Sequence, residues 1–366
     1  MADSVRQPGV YIEELSGLSL SVSSSPTAVP VFIADFGKAF EGAVRVAGWA
    51  ELPQVAGDGA AAGVTGDVLR SYFENGGGSC YLANTAGGSV QGALTALESF
   101  DDVTILVPLG LWDQGADVAG ETARAVAAYA AGHRAMAILH ADRDHDAAQC
   151  IAAARAFKLD AGQSAHAALY YPWLIPTGDG AQPLPPVGAV TGAWCKVDRE
   201  HGVWKAPANI ELKGVRPSQE VTDEQQGEAR HANAIRALQG MGTIIWGART
   251  LDEASDEWQY IPVRRLVDTV ERDVLKALEL ARHESNTQPT WEKVRSAVDT
   301  YLHEIWQQGG LMGNTDKEAY YVQVGQGITM TDDDVKAGRM IVKVGLAAVR
   351  PADYIILTLT ETIAQL

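Results

Sequence analysis

Apolar residues recur along this chain with two different periods, and the change of period divides it. Between residues 103 and 171 short β-rich runs alternate with Ala-rich helical stretches: 103–107, a helix near 120–131, 135–139, a helix over 147–157, then 167–171. Strands alternating with helices at this spacing predict a parallel, doubly wound α/β sheet. The preceding stretch, 29–84, is Gly- and Ala-rich and carries two more short apolar runs, 31–34 and 80–83. Residues 172–242 are loop-rich, with one helix expected over 187–197 and a solvated acidic loop over 218–230.

The last third changes character. After a strand at 243–246, Pro262 opens a helix whose apolar positions Val263, Leu266, Val267, Val270, Val274 and Leu278 follow one helical face. A second helix, with Thr290 as its expected N-cap, buries Trp291, Val294, Val298, Tyr301, Leu302, Ile305 and Trp306 before Gly309-Gly310 stops it. Two β segments follow, 340–346 and 354–360. The expectation is a doubly wound α/β body over 26–242 and an α+β C-terminal domain over 243–348, α+β overall.

The two ends read differently from the body. Val10, Tyr11, Ile12, Glu13 and Leu15 lie in a short alternating strand cut off from the body by a Ser-rich linker at 19–25. Tyr354, Ile355, Ile356, Leu357 and Thr358 lie in the closing β segment. Strands without an evident partner in their own domain are suited to pairing with another chain's sheet. Residues 1–25 are therefore read as an N-terminal arm and linker.

Composition narrows the function. The 366 residues are 46% hydrophobic and 20% charged, an ordinary globular balance. A net charge of −17 argues against direct nucleic-acid binding, which is driven by Lys and Arg on phosphates. Three scattered cysteines, Cys80, Cys150 and Cys195, fit buried free thiols in a reducing compartment. The first residues lack the basic and apolar regions of a signal peptide, and no apolar run reaches bilayer length, so cytoplasmic synthesis and no membrane insertion are expected.

The chemistry-bearing clusters are weak. Asn75-Gly-Gly-Gly-Ser79-Cys80 lacks the Lys-Ser/Thr of a phosphate loop and reads as a tight turn. His140, Asp142, Asp144, His145 and Asp146 follow a strand at the sheet edge where doubly wound folds bind ligands. Metal binding there competes with a helix-capping role for the acids. His201 to Asn209 completes no triad, and Asp332-Asp333-Asp334 has helix-start rather than calcium-loop spacing. Arg264-Arg265 and the pair Lys293 and Arg295 are basic points expected at the surface. No catalytic residue, metal ligand or cofactor is assigned. The alternative reading is an α/β enzyme with a metal or substrate site near His140–Asp146.

Taken in order, several motifs resemble the tail sheath proteins of contractile phages and phage-tail-like injection particles, in a short form. They are Pro8-Gly-Val-Tyr-Ile-Glu-Glu14, Phe73-Glu-Asn-Gly-Gly-Gly-Ser-Cys-Tyr81, Tyr170-Tyr-Pro-Trp173, Pro185-Pro-Val-Gly-Ala-Val190 and His201-Gly-Val-Trp-Lys-Ala-Pro-Ala-Asn209. Ile235-Arg236, Trp246-Gly-Ala-Arg-Thr-Leu251, Val263-Arg-Arg-Leu266, Gly338-Arg-Met-Ile-Val342 and Val349-Arg-Pro-Ala-Asp-Tyr-Ile-Ile356 complete the series. The family usually carries a Gly-Ile-Asn turn where this chain has His231-Ala-Asn-Ala-Ile235.

The resemblance implies a structural subunit that polymerises with itself as stacked hexameric rings around an inner tube protein. Baseplate and tail-terminator proteins would be its other partners. The N-terminal arm and a C-terminal arm over 349–366 would insert as strands into neighbouring subunits' sheets, with the Ser-rich linker as hinge. Contraction would release a metastable lattice without nucleotide and drive the tube through a target membrane. The helix carrying Lys293 and Arg295 is assigned to the tube-facing surface. Assembly in the cytoplasm and release in a particle follow from the same resemblance.

Overall fold

The computed structural model describes residues 20–178, 180–282 and 284–349, together with the backbone of a strand over 356–363. In chain order the strands are β1 (Pro30–Ala34), β2 (Ala43–Val46), β3 (Cys80–Asn84), β4 (Ile105–Pro108), β5 (Met136–His140), β6 (Ala167–Tyr171) and β7 (Leu174–Pro176). They continue as β8 (Ile210–Leu212), β9 (Val215–Pro217), β10 (Ala232–Leu238), β11 (Gly242–Ile245), β12 (Tyr320–Val324), β13 (Met340–Ala347) and β14 (Ile356–Ile363). The longer helices are α1 (Gly63–Glu74), α2 (Ala116–Gly132), α3 (Ala147–Ala156), α4 (Val187–His201), α5 (Ile261–Leu280) and α6 (Gln288–Gln307).

A nine-stranded sheet in the order β2-β3-β1-β4-β5-β6-β10-β11-β8 forms the body. Its centre, β3 through β10, is parallel, while β2, β11 and β8 join antiparallel. Because successive residues of a strand face opposite sides, the strands feed two separate cores. Val31, Ile33, Leu106, Ala137, Leu139 and Leu169 pack with α2 and α3 on one face. Phe32, Leu82, Ile105, Val107, Ile138 and Tyr170 pack with α1 and α4 on the other. This is the doubly wound α/β arrangement. Helices α1 and α4 cross closely: a Cβ on Gly188 or Gly192 would come within 2.2 Å of Val68 O or 2.3 Å of Tyr72 O respectively, so only glycine permits the approach.

A third core lies under the sheet β12-β13-β14, where α5 and α6 lay down Val263, Leu266, Val270, Val294, Val298 and Leu302 against Val342, Val344 and Leu346. The boundary expected at 242/243 cuts through a hairpin instead, since β11 pairs with β10 across it and with β8 beyond. Leu251 also packs in a body core, so the change of core comes with α5. The period of apolar residues marks α5 well, but a strand at 243 carries no signal for which sheet it joins.

Two local expectations are corrected. Helix α6 starts before Thr290, with Thr287 at the N-cap and Pro289 in the first turn, where its missing N–H costs nothing. The acidic stretch 218–230 holds a short helix, Asp223–Glu228, closed by a Thr222–Gln225 capping box and burying none of its own residues.

The larger correction concerns Arg264 and Arg265, which are buried rather than solvated. Arg265 makes a two-pronged ion pair with Asp198 of α4 at 2.8 and 2.6 Å, and its guanidinium lies 4.7 Å from the Trp194 ring centroid. Arg264 pairs with Asp268 one turn on, and Asp268 also accepts from His166 Nε2 at 3.2 Å. Burial pulls the Asp268 carboxyl up, but Arg264 and His166 outweigh it and hold the group below the usual carboxylate range. Helix α5 thus turns an apolar face to the third core and a paired ionic face to the body.

Removing one partner of a buried pair strands the other charge, a loss of about 3–5 kcal/mol. Asp198→Ala should therefore lower the thermal unfolding midpoint by on the order of 10 °C. Asp223→Ala breaks the exposed pair with Arg236 and should change stability by no more than about 1 kcal/mol. Thermal scans by circular dichroism separate the two; equal shifts would contradict the assigned role of α5.

Candidate functional site

The elements expected to act lie around β13. This strand is central in its sheet: β12 pairs with one edge, from Tyr320↔Leu346 to Val324↔Val342. The last strand, β14, pairs antiparallel with the other edge over eight residues, from Met340↔Ile363 to Ala347↔Ile356. Of the residues expected in the C-terminal arm, Ile356, Leu357 and Thr358 stand opposite Ala347, Leu346 and Gly345 of the same chain. Tyr354 and Ile355 lie outside the described residues, as do Val10, Tyr11, Ile12, Glu13 and Leu15. A main-chain ladder of this kind takes its affinity from backbone hydrogen bonds, while alternate side chains set its register.

Lys293 and Arg295 lie exposed on the outer face of α6. Arg295 is tied to Glu292 on its own helix, whereas Lys293 lines a shallow groove with Leu20, Val22, Ser296 and Thr300. The Ser-rich linker is not free where it is described. Leu20 and Val22 pack against the third core, and the Ser25 amide donates to Asp273 Oδ1 at 3.0 Å. Sequence reasoning missed Arg265, Arg272 and Asp273 as polar anchors, although their i, i+7, i+8 spacing on an amphipathic helix marks one stripe.

The His140–Asp146 cluster is built for structure. Asp146 caps α3: its Oδ1 accepts from Gln149 N–H at 2.8 Å, and its own N–H donates to Gln149 Oε1 at 2.9 Å. His140 is fully enclosed, with Nδ1 2.9 Å from Ala141 O and Trp173 edge-on at 5.7 Å. Trp112 Nε1 donates to His140 O and Trp173 Nε1 to Ala141 O, both at 2.8 Å, fixing the strand end. Among the described residues no three His, Cys, Asp or Glu side chains are placed to hold a metal ion. Asp334 likewise completes a capping box with Thr331. The glycines after Asn75 make a turn over Tyr72, whose ring lies 2.3 Å from where a Gly77 Cβ would sit. The loop after His201 returns to β11 through Asn209 N–H to Ile245 O at 2.7 Å. Cys80, Cys150 and Cys195 are buried free thiols.

Comparison with known proteins meets this geometry. A family model described as the phage tail sheath C-terminal domain matches residues 253–362, which begin just before α5. The sheath of an extracellular contractile injection system, PVC, solved in its contracted state, is 41% identical, with a TM-score of 0.80 and 98% of this chain and 99% of that one covered. The contracted helical sheath of the anti-feeding prophage is 39% identical, with a TM-score of 0.79 and 98% and 100% covered. The tail sheath protein of Vibrio phage KVP40 is 24% identical over 134 residues, 35% of this chain and 20% of the phage protein. The match thus spans about a fifth of that curated relative's length.

Burial holds the His140 pKa down at about 4, with the Ala141 carbonyl opposing only weakly. The unfolded chain takes up this proton near pH 6.5 and the folded chain does not until about 4, so the contribution is full above 6.5 and lost as pH falls through that window. His140→Gln should flatten the fall in unfolding midpoint between pH 6.5 and 4, a span worth about 3 kcal/mol at most. An unchanged pH profile in the variant would contradict it.

Proposed function

The chain belongs to the contractile tail sheath family and is a structural sheath subunit; from that premise we propose that it builds its polymer by exchanging terminal strands between copies. The observation that carries this is the β13–β14 ladder. Eight residue pairs join β14 to the sheet, yet the chain between Ala347 and Ile356 is only a short connection. The same ladder forms whether β14 comes from its own chain or from a neighbour. Exchange therefore costs little in hydrogen bonding, and contacts between subunit bodies decide which form prevails.

On this reading residues 10–15 supply a second exchanged strand, and stacked hexameric rings surround an inner tube. Helix α6 faces the tube through Lys293 and Arg295, with the first the freer charge. Baseplate and terminator proteins close the ends, and the particle forms in the cytoplasm before release. The body over α1–α4 and the domain from α5 onward, tied by the buried ion pairs of α5, repack together against neighbouring subunits on contraction. Repacking into a lattice with more buried contact supplies the free energy, so no nucleotide or cofactor is required, and the subunit catalyses no reaction.

Truncation after Val349, and separately deletion of residues 1–17, should leave a folded protomer and abolish tubes in negative-stain micrographs. Tubes of normal length from both truncated chains would sink the exchange mechanism. Lys293→Glu with Arg295→Glu should prevent tube-templated assembly while leaving the unfolding midpoint within a few degrees. Unimpaired templating would remove α6 from the tube surface.

A further inference from the structure

Residues 20–29 cross from the third core to the start of β1 without joining any strand or helix, and their backbone is hydrogen-bonded from Ser25 onward. Leu20 and Val22 lie on α6. Ser25 N–H donates to Asp273 Oδ1 at 3.0 Å, Pro26 O accepts from Arg272 Nη1 at 3.4 Å, and Thr27 O accepts from Arg265 Nη2 at 3.0 Å. The three helix residues sit at i, i+7 and i+8 on one stripe of α5, so the segment runs antiparallel along that helix. On the body side Thr104 Oγ1 donates to Thr27 O at 2.7 Å and accepts from Val29 N–H at 2.9 Å.

The anchoring side chains are themselves braced. Asp273 accepts from Tyr301 of α6 at 2.6 Å, Arg272 donates to Arg134 O at 2.7 Å, and Arg265 is locked to Asp198. A linker meant only to be slack would leave its amides to water. Here Ser25 N–H is bonded to α5 and Val29 N–H to Thr104 just ahead of β4, and Leu20 and Val22 pack against α6 and the third core.

We propose that residues 20–29 are the load-bearing root of the N-terminal arm, through which Asp273, Arg272, Arg265 and Thr104 pass tension from the arm into both lobes. This rests on the strand-exchange reading above. A pull from residue 19 along α5 loads the contacts together, whereas a free linker would let the arm extend before any force reached the body. The side chains are positioning residues for the mechanical step.

The test uses full-length chain assembled into sheaths. Ser25→Pro removes the amide donor to Asp273 without altering α5, Ser25→Ala keeps it, and Thr104→Val removes the hydroxyl bonds to Thr27 O and Val29 N–H at nearly constant volume, leaving the backbone bond from Thr104 N–H to Val29 O. Hydrogen exchange of the Val29 amide should quicken at least tenfold in Thr104→Val and stay unchanged in Ser25→Ala, while Ser25→Pro deletes the bonded amide outright. Both weakened variants should still form extended sheaths. After triggered contraction their sheaths should break into pieces severalfold shorter than the parent's. Faster exchange with contracted sheaths of full length would overturn the proposal. Should a variant fail to fold, the other still decides, since the two clamps lie on different elements. Failure to form extended sheaths only when residues 1–17 are deleted, and not in these variants, distinguishes the root from the arm itself.

Discussion

An interior β-strand must have both edges hydrogen-bonded, and in this molecule that requirement falls on β13. One edge is closed by β12, a neighbour in the same lobe. The other is closed by a strand that enters from the far side of Val349 and brings its own eight-residue ladder. An open edge there would be an invitation to uncontrolled pairing. With β14 of the same chain in place that edge is closed, and on the strand-exchange proposal the same ladder would join another copy without any new kind of contact. The rest of the structure makes that join mechanically useful.

Utility depends on stiffness between the sheet and the body. Helix α5 provides it by serving two cores and an ionic layer. Its apolar stripe seals the third core, and Arg264, Arg265, Asp268 and Asp273 face the body and the incoming chain as paired, buried groups. Buried pairs are poor sources of net stability but are costly to break singly, so they resist sliding of one lobe on the other. Residues 25–29 are hydrogen-bonded into the same layer through Asp273, Arg272, Arg265 and Thr104.

Much of this was legible in the residues. Alternation of β-rich runs with Ala-rich helices gave the doubly wound body, since period alone separates strand from helix. The apolar stripes of α5 and α6 were visible for the same reason. What stayed hidden were features set by tertiary pairing. No local signal tells that 243–245 joins the body sheet, or that Arg264 and Arg265 turn inward to Asp268 and Asp198. The Ser-rich composition of 19–25 suggested slack because its anchors come from α5, more than 240 positions away. The acidic and histidine residues at 140–146 looked like ligands, but the start of α3 uses Asp146 as a cap and the β5 end encloses His140.

The most direct measurement is covalent capture of the β13–β14 register in assembled sheaths. Lys343 and Thr360 stand opposite each other in that ladder. A chain carrying Lys343→Cys and Thr360→Cys, oxidised after assembly and run on a denaturing non-reducing gel, distinguishes exchange from self-pairing. Exchange between copies gives a ladder of covalently linked multimers that collapses on reduction. Bridged monomers alone, from sheaths of normal length, would contradict the account.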